Sequence, residues 1–355
     1  MKRMKGLRRA VRFGLIRALL WPLEILPRGW ALRLGGVYGT LAWRCGKALR
    51  ESIDRNLRLI QPGFVDDRAR FGRVCLRALG RNAVDFLRMA RLDRAALERL
   101  IRVVGEEHLE GALARGRGVV VATGHVGCWE LMAAYYARRG YPVHVLARPL
   151  REAWAESFVT GRRTAAGVRT LSRNSELMGA ARALRRGGMV GILFDQDMKA
   201  EGVRVPFFGR LAFTPVGPAA LCRMTRAALL PMAIQSEGDG SHKITILPEV
   251  EVRRTDDREG DLYEMMVALS GSLERLIEQR PEQWVWFHDR WRRSEEARDE
   301  STVVENRDEE SARGAWDPPA RPSRSVRVLD SAGGAGRPER GGLGAGPDVP
   351  EPGAS

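Results

Sequence analysis

Apolar residues along this chain change their spacing near position 100. From about Gly36 to Arg102 they recur three or four apart, as in Val74, Leu76, Leu79, Val84, Phe86, Leu87 and Met89, and this period predicts helices. Short runs that are apolar at nearly every position follow: Gly118 to Thr123, Pro142 to Ala147, Met189 to Phe194, Leu229 to Gln235 and Lys243 to Leu247. Runs of that length, rich in β-branched residues and without polar alternation, predict strands covered on both faces. Helical spacing returns between them, over Glu130 to Arg139, Glu152 to Ala166, Ser175 to Arg186 and Pro218 to Thr225. A long last helix is expected from near Asp261, where Asp261 and Glu264 form the D-x-x-E of a capping box. The alternation predicts an α/β fold with a mixed, mostly buried central sheet flanked by helices.

The two ends read differently. Lys2, Arg3, Lys5, Arg8, Arg9 and Arg12 precede an apolar run through Phe13, Leu15, Ile16, Leu19, Leu20, Trp21, Leu23, Ile25 and Leu26. A spanning helix needs roughly 20 uninterrupted apolar residues. This run carries Arg17 and Glu24 and is expected to break at Pro22 and Pro27, and no small-x-small cleavage site follows it. Basic flanks with Trp21 and Trp30 suit a helix in the cytoplasmic leaflet of a membrane, the alternative being an amphipathic helix packed on the core. Beyond about Ser294 the chain turns to Arg, Glu, Asp, Gly, Pro and Ser, a composition too poor in apolar surface to order itself. Residues 1–35 are therefore read as a membrane-associating segment, 36–295 as the folded domain and 296–355 as a disordered tail.

A net charge of +15 attracts anionic partners, whether headgroups, nucleic acid or an acidic protein, without choosing among them. The four cysteines, Cys45, Cys75, Cys128 and Cys222, have neither C-x-x-C nor metal-ligand spacing, so neither a disulfide framework nor a metal site is expected, nor any cofactor.

The densest chemistry is T-G-H-V-G-C-W-E, Thr123 to Glu130, directly after the first strong strand. On a regular helix, five steps of about 100° would set His125 and Glu130 about 140° apart. They converge only if the motif straddles a strand-to-helix turn, for which Gly124 and Gly127 provide backbone freedom. The carboxyl ends of strands are where open α/β sheets place ligands. An imidazole there can take a proton from an attacking hydroxyl, because imidazole titrates near neutral pH. On this reading Glu130 orients the ring and stabilises the imidazolium, and acyl transfer proceeds without a protein nucleophile. Asp195 and Asp197 follow the strand at Met189 and are read either as site residues or as caps of the next turn. Lys199, Arg204 and Arg210 surround Val205 to Phe208, giving cations beside an apolar, aromatic surface. Trp284, Trp286, Phe287 and Trp291 alternate like a buried strand or an interfacial belt, with core packing as their main role and His288 capping it.

The stretch from Gly124 to Glu130 resembles the H-x-x-x-x-(D/E) motif of glycerolipid acyltransferases. With Ala147-Arg148-Pro149 it is similar to the late acyltransferases of lipid A biosynthesis. F-D-Q-D (Phe194 to Asp197), V-P-F-F-G-R (Val205 to Arg210), T-P-V-G-P (Thr214 to Pro218) and P-E-Q-W-V-W-F-H-D-R-W (Pro281 to Trp291) resemble further blocks of that family, in order, over roughly residues 5 to 295. The resemblance implies an acyl carrier protein or coenzyme A thioester as donor and a hydroxyl of a lipid A precursor as acceptor, at the cytoplasmic face of the inner membrane. It implies His125 as general base with Glu130 as partner, and Arg148, Asp195 and Gln196 close to the acceptor or reacting ester. Arg204 and Arg210 are read as binding the acceptor's phosphate. Cys128 stands where many relatives have Asn, which removes an amide from the turn.

Two other readings stay open. One is acylation of another membrane glycolipid, such as a phosphatidylinositol mannoside, by the same pair. The other is a basic nucleic-acid-binding protein, disfavoured because the cations are dispersed and no stacking module is visible. G-x-S-x-G and H-E-x-x-H are both absent, which disfavours serine and zinc hydrolases.

Overall fold

All five predicted strands form, and they make the middle of one sheet. The computed structural model describes residues 14, 16–60, 64–172 and 177–293; the expected disordered tail and the first basic residues lie outside them. In chain order the strands are β1 (Ile101–Val104), β2 (Val119–Thr123), β3 (Val143–Ala147), β4 (Arg169–Ser172), β5 (Met189–Leu193), β6 (Gly202–Phe207), β7 (Arg210–Pro215), β8 (Ala228–Ser236) and β9 (His242–Ile246). Seven of them build the sheet in the order β1-β9-β8-β2-β5-β3-β4, while β6 and β7 form a separate antiparallel hairpin. β8, β2, β5, β3 and β4 run parallel, and β9 turns back antiparallel on β8 with β1 beside it. The sheet is thus mixed, as predicted. β1 and β4 are short edge strands with partly exposed residues, so they lack the apolar run that marks the others.

The helices are α1 (residues 16–25), α2 (Arg28–Cys45), α3 (Lys47–Leu59), α4 (Arg68–Arg88), α5 (Arg94–Leu100), α6 (Glu106–Ala114), α7 (Trp129–Arg138), α8 (Ala153–Ala165), α9 (Leu177–Arg185), α10 (Gly217–Thr225) and α11 (Arg258–Gln279). Alternate residues of β2 and β5 feed two cores. Val120, Ala122, Val190 and Ile192 pack with α9, α10 and α11 on one face. Val119, Val121 and Met189 pack with α6 and α7 on the other. Full burial of both faces is why these strands read as continuous apolar runs.

Three local expectations are corrected. α11 begins three residues earlier than expected, because Asp257 caps it by accepting from the Gly260 N–H at 2.9 Å. Asp261 lies inside the first turn, buried, accepting from the Thr255 N–H and paired with Arg223. Pro22 does not break α1, which continues through it to residue 25; the interruption comes at Pro27, the N-cap of α2. A proline removes one N–H from a helix, a loss tolerated here where Leu23 is buried against the body. Pro281 to Trp291 is not a strand but a 3₁₀ turn and loop that buries Trp284, Trp286 and Trp291.

α1 and α2 are anchored by charge. Glu24 pairs with Arg162 at 2.5 Å and Arg91 at 3.2 Å, and Arg28 pairs with Asp85 at 2.8 Å. Leu23, Ala31 and Leu32 pack on Val84 and Leu87 of α4. Other side chains of these helices are apolar and exposed: Leu19, Trp21, Ile25, Trp30, Val37 and Leu41 are six of the eleven exposed large apolar side chains among the described residues. No helix among the described residues is long and apolar enough to cross a membrane.

Candidate active site

β2 and β5 are adjacent and parallel, with Thr123 opposite Leu193 at their carboxyl ends. Two residues further along each chain come His125 and Asp195, so the register itself delivers them side by side. The His125 Nδ1 lies 2.7 Å from Asp195 Oδ1. The other carboxylate oxygen accepts from the His125 backbone N–H at 2.7 Å and from Trp284 Nε1 at 2.8 Å.

Asp195 is fully buried, which by itself would raise its pKa. The facing imidazole, with the hydrogen bonds from His125 and Trp284, outweighs burial and brings it down to about 2. A carboxylate held ionised against Nδ1 keeps the proton on that nitrogen. The His125 side chain is 21% exposed, and its Nε2 has no hydrogen-bond partner among the described residues. The lone pair that can act as a base therefore faces outward.

Two glycines make the turn possible. Gly127 has φ +60°, and a Cβ there would lie 2.0 Å from the Ile234 carbonyl oxygen. At Gly124 a Cβ would press to 2.9 Å from Asp195 Oδ2. The turn is tied to the last block of the chain, where Gly127 N–H donates to the Gln283 carbonyl and Val126 bridges Trp284.

The structure does not bring Glu130 to the imidazole. Its carboxylate accepts two hydrogen bonds from Arg163, from Nε at 2.8 Å and from a terminal nitrogen at 2.5 Å, and one from Trp129 Nε1 at 3.2 Å. In the first turn of α7, Glu130 pairs with Arg163 of α8, and the contact expected of it is made by Asp195. Arg163 is raised in pKa: burial opposes its charge, but the Glu130 hydrogen bonds and charge more than compensate. Asp195, expected close to the acceptor or the reacting ester, is hydrogen-bonded to the ring.

The remaining predicted residues lie on or next to other strands. Arg148 is exposed just beyond β3, Gln196 is half-buried beside Asp195, and Arg204 and Arg210 lie on the hairpin. Among the described residues, none of the three arginines has an ion-pair partner. Asp197 accepts from the Arg293 N–H and pairs with its side chain, both at 3.1 Å. The Asp197 N–H donates to His288 Nε2 at 3.0 Å, which places the His288 proton on Nδ1; burial lowers the pKa of that ring. His288 is thereby occupied with packing the site.

The motif blocks converge on one network. Phe207 and Phe208 of the hairpin pack on Trp284, with ring centroids 5.5 and 6.4 Å away. Arg290, buried, donates to Thr214 Oγ1 at 2.5 Å and to the Phe213 carbonyl, and lies over the Phe207 ring. Arg163 and the hydrogen-bonding roles of Trp284 and Asp195 escaped sequence reasoning. The available signal was positional, since an acid follows β5 at the same offset at which the histidine follows β2.

Beside the imidazole, Trp129 meets the His125 ring edge-on at 4.8 Å and lines a narrow slot between α7 and the sheet. The slot has a cavity volume of about 50 Å³ and is almost wholly apolar apart from Thr123, Glu130, Tyr136 and Arg163. A wider groove of about 810 Å³, lined by Arg115, Arg117, Arg223, Arg226 and Arg254, opens at the amino ends of β2 and β8. β2 spans roughly 17 Å, so that arginine cluster lies at the far edge of the sheet from His125. Burial raises the pKa of the Cys128 thiol, which makes it a poor nucleophile although it adjoins the site. Among the described residues no group of His, Cys, Asp and Glu is arranged to hold a metal.

Residues 1–293 match the family model described as bacterial lipid A biosynthesis acyltransferase. The chain belongs to that family. This acyltransferase is 28% identical over 278 residues to the phosphatidylinositol mannoside acyltransferase of Mycolicibacterium smegmatis, covering 76% of this chain and 88% of that protein. It is 27% identical over 278 residues to the lipid A biosynthesis lauroyltransferase of Escherichia coli, covering 77% and 89% of the two chains. The crystal structure of the 1-acyl-sn-glycerophosphate acyltransferase from Thermotoga maritima aligns with a TM-score of 0.35 and 13% identity over 70% of this acyltransferase and 98% of that chain. Family membership favours the acyltransferase reading of the sequence over nucleic-acid binding.

Proposed function

We propose that the enzyme transfers a fatty-acyl group from a thioester, carried by acyl carrier protein or coenzyme A, to a hydroxyl of a phosphorylated glycolipid, with His125 as general base and Asp195 as its partner. The observation that carries this reading is the buried Asp195 carboxylate 2.7 Å from His125 Nδ1, with Nε2 without a partner among the described residues and Trp129, which meets the ring, lining an apolar slot. The acceptor oxygen attacks the thioester carbonyl while Nε2 takes its proton, and Asp195 stabilises the resulting imidazolium. The tetrahedral intermediate collapses by breaking the carbon–sulfur bond. The departing thiolate recovers the proton from Nε2, so the products are an ester and a free thiol, and the base is regenerated.

The slot between α7 and the sheet is proposed to hold the donor's acyl chain. Arg148, Arg204 and Arg210, with Gln196, are proposed to bind the acceptor and its phosphate, since the three arginines have no ion-pair partner among the described residues and Gln196 adjoins Asp195 in the chain. Glu130 is a positioning residue in this reading: by holding Arg163 it fixes the start of α7, which carries Trp129, against α8. The exposed apolar residues of α1 and α2 support association with the cytoplasmic face of the inner membrane.

A lipid A precursor is the acceptor favoured by the family description, and a phosphatidylinositol mannoside is the second reading, supported by the mycobacterial relative. Mass spectrometry of membrane lipids from cells with and without the enzyme separates the two, because the lipid that loses one acyl chain is the acceptor. In the same assay His125→Ala abolishes transfer while circular dichroism shows a folded protein. Near-normal turnover by that variant overturns the proposal.

A further inference from the structure

We infer that Gly191 determines how long an acyl chain the enzyme accepts. The inference rests on the proposed reading that the slot under α7 holds the donor chain. Its floor is built in rows by the strand register. Thr123 and Leu193 form the row at the mouth; Val121, Gly191 and Val145 form the middle row; Met189 and Val143 form the innermost. On the roof, Trp129 and Glu130 stand at the mouth and Tyr136 at the inner end. Four strand residues span about 13 Å and seven helical residues about 10 Å, so the slot runs to a comparable depth along both walls.

β5 occupies the centre of this floor, between β2 and β3. It presents Leu193, Gly191 and Met189 in turn, and only the middle one lacks a side chain. Its backbone does not call for glycine. Gly191 is not among the residues of positive φ, and a Cβ there would meet nothing closer than Val145 Cγ1 at 3.7 Å and the His144 carbonyl at 3.8 Å, both ordinary contacts. Glycine inside a strand gives up packing and order, and it marks a close approach of backbone and ligand when neither a bulge nor a turn requires it. Here the missing side chain leaves a passage halfway down the slot.

Beyond it, Tyr136 and Met189 close the inner end. The Tyr136 hydroxyl is buried without a hydrogen-bond partner among the described residues, and its ring serves as a stop. Met132, Met189 and Met232 line the slot, and flexible thioethers let a slot of this small volume widen around a chain.

The test uses the full-length enzyme and a mixture of short, medium and long saturated acyl thioesters, offered on coenzyme A and on acyl carrier protein, with products resolved by mass spectrometry. Gly191→Val shifts the product ratio of long to short chains downward by about tenfold or more, since single methylenes in an apolar pocket discriminate by that order. Short-chain transfer is retained. Gly191→Ala, whose added carbon clashes with nothing, shifts the ratio the same way but less. Tyr136→Ala shifts it toward longer chains. An unchanged length profile in the Gly191 variants, or an equal fall for every length, overturns the inference while the wild-type enzyme still transfers. A wild-type enzyme that transfers from neither carrier overturns the proposed function as well.

Discussion

Asp195→Asn separates the roles of the two acids most sharply. Oδ2 receives two N–H donors whose orientation is fixed, the His125 backbone and Trp284 Nε1, so the amide oxygen of Asn must occupy that position. The reverse orientation would set an NH₂ against both donors and leave buried groups unpaired, at about 1–3 kcal/mol each. The amide nitrogen then faces Nδ1, which becomes an acceptor, and the ring proton moves to Nε2. The base is thereby blocked without removing a hydrogen bond, and turnover is expected to fall about 10⁴-fold, the loss that tautomer inversion produces in a comparable triad. That corresponds to about 5 kcal/mol of barrier.

Stability changes by less. The Asp195 pKa is about 2 in the folded enzyme against about 4 in an unfolded chain, so its ionisation contributes about 2–3 kcal/mol to folding. Because the folded value is the lower one, that contribution is complete above pH 4 and fades as pH falls toward 2. The neutral variant lacks it, and its urea midpoint loses the acid dependence over that window. Initial rates of thiol release at neutral pH, beside urea unfolding at pH 7 and below pH 4, give both readouts. A folded Asp195→Asn enzyme within about tenfold of wild-type turnover refutes the dyad.

Glu130→Gln is expected to behave differently: it leaves Arg163 charged and unmatched at a site where both side chains are about nine-tenths buried, costing about 3 kcal/mol of stability by denaturant unfolding. Its turnover at low temperature, where it remains folded, falls no more than about tenfold, and a loss equal to that of Asp195→Asn would return Glu130 to the role of imidazole partner. Gly127→Ala forces an alanine to φ +60° with its Cβ 2.0 Å from the Ile234 carbonyl oxygen, so thermal unfolding should show a loss above about 2 kcal/mol, with activity falling as the turn shifts; a melting temperature within a degree or two of wild type contradicts the tight-turn account.

The legible parts of the fold were those where burial is complete. β2, β3, β5, β8 and β9 are covered by packed side chains and read directly as apolar runs, and α7 to α10 lie within two residues of their predicted bounds. Where one side of an element is solvated and its neighbour decides its conformation, the pattern was too weak. β1 and β4 are such edges, and the β6–β7 hairpin presents Arg204 outward while Val205 and Phe207 face the core. Trp284 to Trp291 shows the converse, since its alternation is real but comes from a loop that buries three indoles.

At the site, the histidine and its turn were legible because local chemistry demands them: a strand end, two glycines, then a helix. Its partner was not, because H-x-x-x-x-E places both residues within one motif, whereas the contact depends on strand order. β5 enters the sheet beside β2 only after the chain has built β3 and β4, and no local spacing encodes that return. Once β2 and β5 are set side by side with Thr123 opposite Leu193, equal offsets beyond the strand ends bring His125 to Asp195, seventy residues apart in sequence. The nearer acid, Glu130, is carried by the rotation of α7 toward Arg163. Proximity along the chain therefore ranked the two carboxylates in the wrong order for contact with the ring, and parallel register supplies the physical reason.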